Sequence, residues 1–458
     1  MSLYWTARAW LPGGWADHVL LTAGADGHWA EVTPGVAQAP ADATVLQGPA
    51  LPGLVNAHSH AFQRAFAGLA ERRDSASDTF WSWRDRMYQV ALRITPEQLR
   101  AVAAHLYVEL LRGGYTQVCD FHYLQHREDG SPYDEPLAMS WALADAAVDA
   151  GIGLTVLPVL YERAGFGQST LRDDQRRFAT TADSVWALQQ GIATARRPLV
   201  NAGVAIHSLR AAAPASITRL RELADGFDGP IHIHVAEQMQ EVDDCLAAAG
   251  ARPVQWLARE GFLDSRWQLV HATHVTPDEI ASVAASGAGA VLCPSTEANL
   301  GDGLTDLPGW LASNTPLAIG SDSHVTRAWR EELRLLEYGQ RLARRERNVA
   351  AAPDAGQPST AARLFQRVAD ASGRAAGFAR WGLVPGARAD LLVVDLQDHA
   401  LLGVPRAQLL DALVFSSAGR PWRDVMVAGK FVIANHRHGA ADRCAQAFAP
   451  TMSALWGA

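Results

Sequence analysis

Between Leu54 and Arg347 the chain alternates short apolar runs with longer amphipathic stretches, and that alternation limits the fold more than any other feature. The runs are LVNAH, YTQVCDFH, IGLTVLPVL, AGVAIHSL, PIHIHVAE, WQLVHATH, GAGAVLCPST and TPLAIGSDSH. Most are rich in Val, Ile, Leu and Ala, as strands buried on both faces should be. The segments between them carry helix signals. In TPEQLRAVAAHLYVELLRGG, Thr95 is an N-cap, Pro96 takes the first helical position, Gln98 completes a capping box, and Gly113-Gly114 stops the helix. Thr276, Pro277 and Glu279 repeat the device. Eight such alternations predict a closed (β/α)8 TIM-type barrel rather than an open doubly wound sheet. No G-x-G-x-x-G follows the first run, which removes the dinucleotide-binding alternative.

The two ends of the chain differ from this middle. Residues 1–52 and 384–458 contain short strand-like pieces with Gly and Pro turns, such as ADLLVVDL and DVMVAGKFVIA. Neither end can form a core alone, so together they are expected to build a small β-sandwich flanking a barrel of residues 53–383. Two connections, GLAERRDSASDTFWSWRDRMYQV and YERAGFGQSTLRDDQRRF, exceed ordinary βα loops and are candidate active-site lids. The net charge of −8, spread without a tail of one sign, argues against nucleic acid or an acidic membrane surface as partner. Four dispersed cysteines with no C-x-x-C pair fit a reducing compartment. No basic, apolar leader opens the sequence, and no run reaches the ~18 apolar residues of a membrane span. A soluble cytoplasmic protein acting on a small molecule is the expectation.

The chemistry is expected at the C-terminal ends of the barrel strands. His58 and His60 lie two residues apart at the end of the first run, so an extended backbone aims both imidazoles to one side. His122 and Tyr123 close the second run, His207 the fourth, His234 the fifth, His271 the sixth and Asp322 the eighth. Several strands thus deliver imidazoles and a carboxylate to one rim. Three imidazoles and a carboxylate suit a divalent metal, most often Zn2+, and His58, His60, His234 and Asp322 are the expected ligands. His232, on the same strand face but one layer deeper than His234, is read as a packed barrel residue. His324, two residues past Asp322, is read either as backing the site or as an ordinary loop residue.

The motifs PGLVNAHSH, HVAE, VHATH, GSDSH and GLVPGARADLLVVDL, with VMVAGK after them, resemble the amidohydrolase superfamily over essentially the whole chain. Within it, the H-x-x-E of His234 and Glu237 is similar to the mononuclear deaminase branch. Dinuclear members usually bridge two metals through a carbamylated lysine. Here Lys430 is the only lysine among 40 basic residues and lies outside the barrel, so one Zn2+ per subunit is expected. Asp322 and His271 would flank the attacking water, and Glu237 would relay protons to the departing ammonia.

Specificity is expected from the loops after the first, second and fourth strands. Gln63, Arg84, Tyr123, His207 and Arg210 stand there, and two guanidinium forks suit carboxylate groups. A purine site would instead want apolar or aromatic walls for stacking. LVNAHSHAFQRAFAGLAE, DTFWSWRDRMY, DFHYLQH and IHSLRA resemble the N-formimidoyl-L-glutamate deiminases of histidine degradation. That resemblance implies hydrolysis of N-formimidoyl-L-glutamate to N-formyl-L-glutamate and ammonia, with those five residues holding the substrate, and it suggests a homodimer. The rival readings are a mononuclear aminohydrolase for a purine, pterin or triazine ring, and a barrel that has become a non-catalytic scaffold.

Overall fold

The computed structural model describes residues 1–72 and 80–457. Residues 73–79, in the first of the two long connections, lie outside the described range. Eight parallel strands form the barrel: β1 (Leu54–Ser59), β2 (Tyr115–His122), β3 (Gly153–Leu160), β4 (Val204–Ile206), β5 (Ile231–Val235), β6 (Trp267–His271), β7 (Gly289–Leu292) and β8 (Leu317–Ile319). Each pairs with the next in chain order. Every residue in them is buried, which is why they read as continuous apolar runs.

The seam between β8 and β1 closes through site residues. The Asp322 N–H donates to the His58 carbonyl at 3.0 Å, and the His60 N–H donates to the Asp322 carbonyl at 3.3 Å. The approach requires glycine at 320, because a Cβ there would sit 2.6 Å from the His58 Cβ and 2.8 Å from its carbonyl oxygen. The helix Thr360–Ala375 packs across this seam.

Helix boundaries follow the capping chemistry. Over Pro96–Gly113, Thr95 Oγ1 accepts the Gln98 N–H, the Gln98 side chain accepts the Thr95 N–H, and Gly114 ends the helix at φ 92°. The Thr276–Glu279 box opens Pro277–Ser286 in the same way.

The two chain ends meet in one continuous nine-stranded sheet. Ala50–Leu51 is the junction: it pairs parallel with Ser2–Leu11 and antiparallel with Leu391–Val394. A core of its own, including Tyr4, Leu21, Trp29, Leu391 and Met426, holds this unit. The C-terminal portion is not all strand. Ala441–Trp456 is a helix lying on Pro96–Gly113, and the Trp456 indole donates to the Ala65 carbonyl at 2.8 Å. All four cysteines are free and buried. Among the described residues no helix is long and apolar enough to cross a membrane.

Candidate active site

The strand ends turn sharply where the chemistry sits. Ala236, His271, Asp322 and His324 all take positive φ, 51°, 68°, 46° and 65°. Such backbone is costly for non-glycine residues, about 1–3 kcal/mol each, and survives where surrounding contacts over-determine it. At Asp322 those contacts are the two seam hydrogen bonds to β1. They present its carboxylate to His58 and His60, with Oδ1 3.5 Å from the Nε2 of each.

The imidazoles converge on that carboxylate. The Nε2 atoms of His58 and His234 face each other at 3.0 Å. Ligating atoms of His58, His60 and Asp322, and likewise of His58, His234 and His271, all lie within 4.8 Å of one another. The His60 Nδ1 sits 2.9 Å from the Phe121 carbonyl, so it carries the proton and leaves the Nε2 lone pair toward Asp322. His324 backs the same loop, with Nδ1 3.0 Å from Ser321 Oγ and Nε2 3.2 Å from the His60 carbonyl.

Electrostatics divide these groups into two kinds. Burial pushes His58 down to about 3, against the pull of Asp322, and lowers His60 and His234 as well. All three are therefore neutral with lone pairs to offer. Burial alone would raise Asp322, but His58, then His271 and His60, hold it below the usual carboxylate range. Neutral imidazoles around a charged carboxylate are the donor set of a divalent cation, and the residues fit one. His271 behaves differently. Burial would lower it, but Glu237, Glu297 and Asp322 raise it to about 10. A protonated imidazole has no lone pair to give, which sets His271 apart from the other three. Cys293 also lies near His271 and Asp322, but burial keeps its thiol protonated.

Beside this cluster stands a triad of titratable groups. His271 Nε2 is 3.7 Å from Glu237 Oε1 and 3.8 Å from Asp322 Oδ2. Burial, reinforced by Asp322 and opposed by His271 and Arg210, raises Glu237 to about 7. A carboxyl titrating there can both take and return a proton at neutral pH.

One cavity opens over the cluster and joins the two predicted groups. Its walls include His60, His234, Glu237, His271 and Asp322 at one end, and Gln63, Arg84, Tyr123, His207 and Arg210 elsewhere. The Gln63 amide donates to the Tyr123 phenol oxygen at 3.2 Å. His58 is fully buried and is not among these wall residues. His232 points away, its Nε2 2.8 Å from the Ala375 carbonyl, as a packed barrel residue would.

Sequence reasoning missed part of the wall. Trp83, Met87, Tyr88, Tyr161, Phe178 and Leu300 also line the cavity, and Glu297 stands behind His271 with Oε1 3.5 Å from Nδ1. Tyr161 directly follows β3, so the rule that found His207 and His234 applies to it too. Tyr88 and Trp83 lie on the helix Phe80–Ala91, whose sequence carries no sign of where it docks. The aromatic rings are tilted or edge-on to their neighbours: Tyr161 meets His207 at 4.2 Å and 61°, and Tyr123 meets Phe178 at 5.1 Å and 77°. No parallel slot for a flat ring is formed by these pairs.

Comparison with known proteins agrees with this geometry. Residues 50–432 match the model of the Amidohydrolase family. Formimidoylglutamate deiminase of Pseudomonas aeruginosa is 46% identical over 461 residues, covering 99% of this chain and 100% of that protein. The crystal structure of an amidohydrolase from Brucella melitensis superposes with a TM-score of 0.93 at 40% identity, over 99% of this chain and 100% of that one. A zinc-bound adenosine deaminase from Xanthomonas campestris shares the fold, with a TM-score of 0.78 at 23% identity over 98% of both chains. The full-length family match, the barrel and the histidine-rich rim lead to one conclusion: the chain belongs to the amidohydrolase family.

Proposed function

We propose that this protein hydrolyses N-formimidoyl-L-glutamate to N-formyl-L-glutamate and ammonia, using one Zn2+ held by His58, His60, His234 and Asp322. The carrying observation is the single cavity with a histidine–carboxylate cluster at one end and Arg84 and Arg210 in its walls. A formimidoyl group is an amidine, cationic when protonated, and suits the Glu237–Asp322 end. The two carboxylates of the glutamate portion suit the guanidinium groups, which bind such anions through paired N–H donors. The full-length likeness to the Pseudomonas aeruginosa deiminase supports the same substrate. We also take residues 53–383 as the barrel domain and residues 1–52 with 384–458 as its flanking partner.

When bound, the metal supplies Lewis acidity that brings the pKa of water to roughly 7. The residues do the rest. Asp322 and His271 hold the water beside the formimidoyl carbon, and Asp322 takes its proton as the oxygen attacks. The C=N electron pair moves to the terminal nitrogen, which is protonated through Glu237. The C–N bond then breaks, ammonia leaves with the pair, and the remaining hydroxyl proton returns to the carboxylates as the formyl carbonyl forms. Arg84, Arg210, Gln63, Tyr123 and His207 keep the carbon in register, and a misplacement of 1 Å in such a step can cost about a hundredfold in rate. The test is ammonia release from N-formimidoyl-L-glutamate by the zinc-loaded protein, against adenosine and a triazine. Turnover of a ring substrate in preference to the linear amidine would overturn the assignment.

A further inference from the structure

Gln175 belongs to the second long connection and is fully buried. Its side chain is spent entirely on three partners. Oε1 accepts the Arg172 backbone N–H at 3.1 Å. Nε2 lies 2.9 Å from the Tyr161 phenol oxygen and 3.3 Å from that of Tyr88. The Arg172 N–H can only donate, so it fixes which end of the amide is oxygen. The amino group must then face the phenols, giving one hydrogen to each.

This has a consequence for the cavity that Tyr88 and Tyr161 both line. Each phenol oxygen is already an acceptor, so its own hydrogen must go elsewhere. Any exchange between the two phenols themselves uses at most one of those hydrogens. Among the described residues no other acceptor hydrogen-bonds either phenol. At least one O–H is therefore left to donate into a cavity whose walls already hold Arg84 and Arg210. An acceptor-only group such as a carboxylate satisfies it, whereas an N–H or NH2 edge does not.

We propose that Gln175 is a positioning residue for specificity: by donating to both phenols it makes Tyr88 and Tyr161 donors toward a substrate carboxylate, beside the arginines. This rests on the reading that the substrate offers carboxylate oxygens to that wall. The selectivity is directional as well as electrostatic. An arginine attracts any anion, but a phenol held as a donor rewards only an oxygen lying on its axis.

The decisive substitution is Gln175→Glu, which keeps Oε1 for the Arg172 N–H and turns the donor into an acceptor. The probe is glutarate, a plain dicarboxylate, titrated calorimetrically into the zinc-loaded protein, with N-formimidoyl-L-glutamate kinetics alongside. The expected result is a Kd for glutarate and a KM for substrate raised about tenfold to a hundredfold, the range of a hydrogen bond to a charged group, with kcat changed far less. In a Tyr88→Phe/Tyr161→Phe background the same change should add nothing, because Gln175 acts only through the phenols. Unchanged glutarate affinity in Gln175→Glu overturns the proposal. So does an equal loss in the double-Phe background, which would show direct repulsion or a loop defect. If Gln175→Glu does not fold, the phenol pair decides alone: double-Phe protein that binds glutarate as tightly as wild type overturns it. Wild type that binds glutarate but releases no ammonia defeats the assigned reaction, while the glutarate titrations still judge Gln175.

Discussion

The two ends of the cavity are built by different parts of the chain. The histidine–carboxylate end hangs on β1, β5, β6 and β8, whose residues are wholly buried and locked into the barrel ladder. Much of the other end comes from connections: Arg84 and Tyr88 from a helix after β1, Tyr161 and Phe178 from the loop after β3, Arg210 from the turn after β4. Under the proposed function, the groups that make and break bonds sit on the rigid frame, and those that select a substrate sit on segments that can vary without disturbing the barrel.

This contrast predicts distinct signatures for damage at each end. Removing the metal with a chelator should take ammonia release to background, with recovery on adding Zn2+. Asp322→Asn should do the same without recovery, because it weakens the donor set while leaving the backbone seam between β8 and β1 in place; metal analysis alongside the activity assay checks it. Glu237→Gln should lower kcat by about 10²–10⁴, the usual worth of a general acid–base group, with KM and metal content nearly unchanged. Steady-state kinetics that showed a KM effect instead would move Glu237 to the selecting end. Arg84→Ala and Arg210→Ala should each raise KM by about tenfold to a hundredfold and leave bound zinc intact. Unaltered KM in both would break the assignment of that wall to carboxylates. The smallest effect belongs to His232, which shares β5 with His234 but bonds the Ala375 carbonyl. His232→Gln should cost stability alone, about 1 kcal/mol in a denaturant titration, with kcat and KM as in wild type.

Much of the rigid end was legible. The H-x-H spacing of His58 and His60 works because strand side chains alternate. The same rule put His234 above His232, and the two do part in the structure, His234 toward His58 and His232 toward the Ala375 carbonyl. Residues placed by a regular period can be read locally. Gln175 and Glu297 could not be read this way. Gln175 matters because a loop 87 residues beyond Tyr88 folds back onto it, and Glu297 because the helix Pro294–Leu300 places it behind His271. The aromatic wall was hidden for the same reason: a helix sequence does not say which loop will cover it. The C-terminal helix over the barrel was missed from the opposite cause, since neighbouring strand-like segments dominated the reading of that region.

The order of strands, the helix caps, the want of a barrel lysine and the gathering of imidazoles at strand ends were settled by the amino-acid sequence, because each depends on spacing within one segment or on composition. Tertiary structure decided which groups face each other across the cavity. It also raised His271 while lowering His58, and set the Gln175 amide against the Tyr88 and Tyr161 phenols. Those outcomes arise from charges, hydrogen-bond partners and burial contributed by segments far apart along the chain, and they exist only once the barrel has closed.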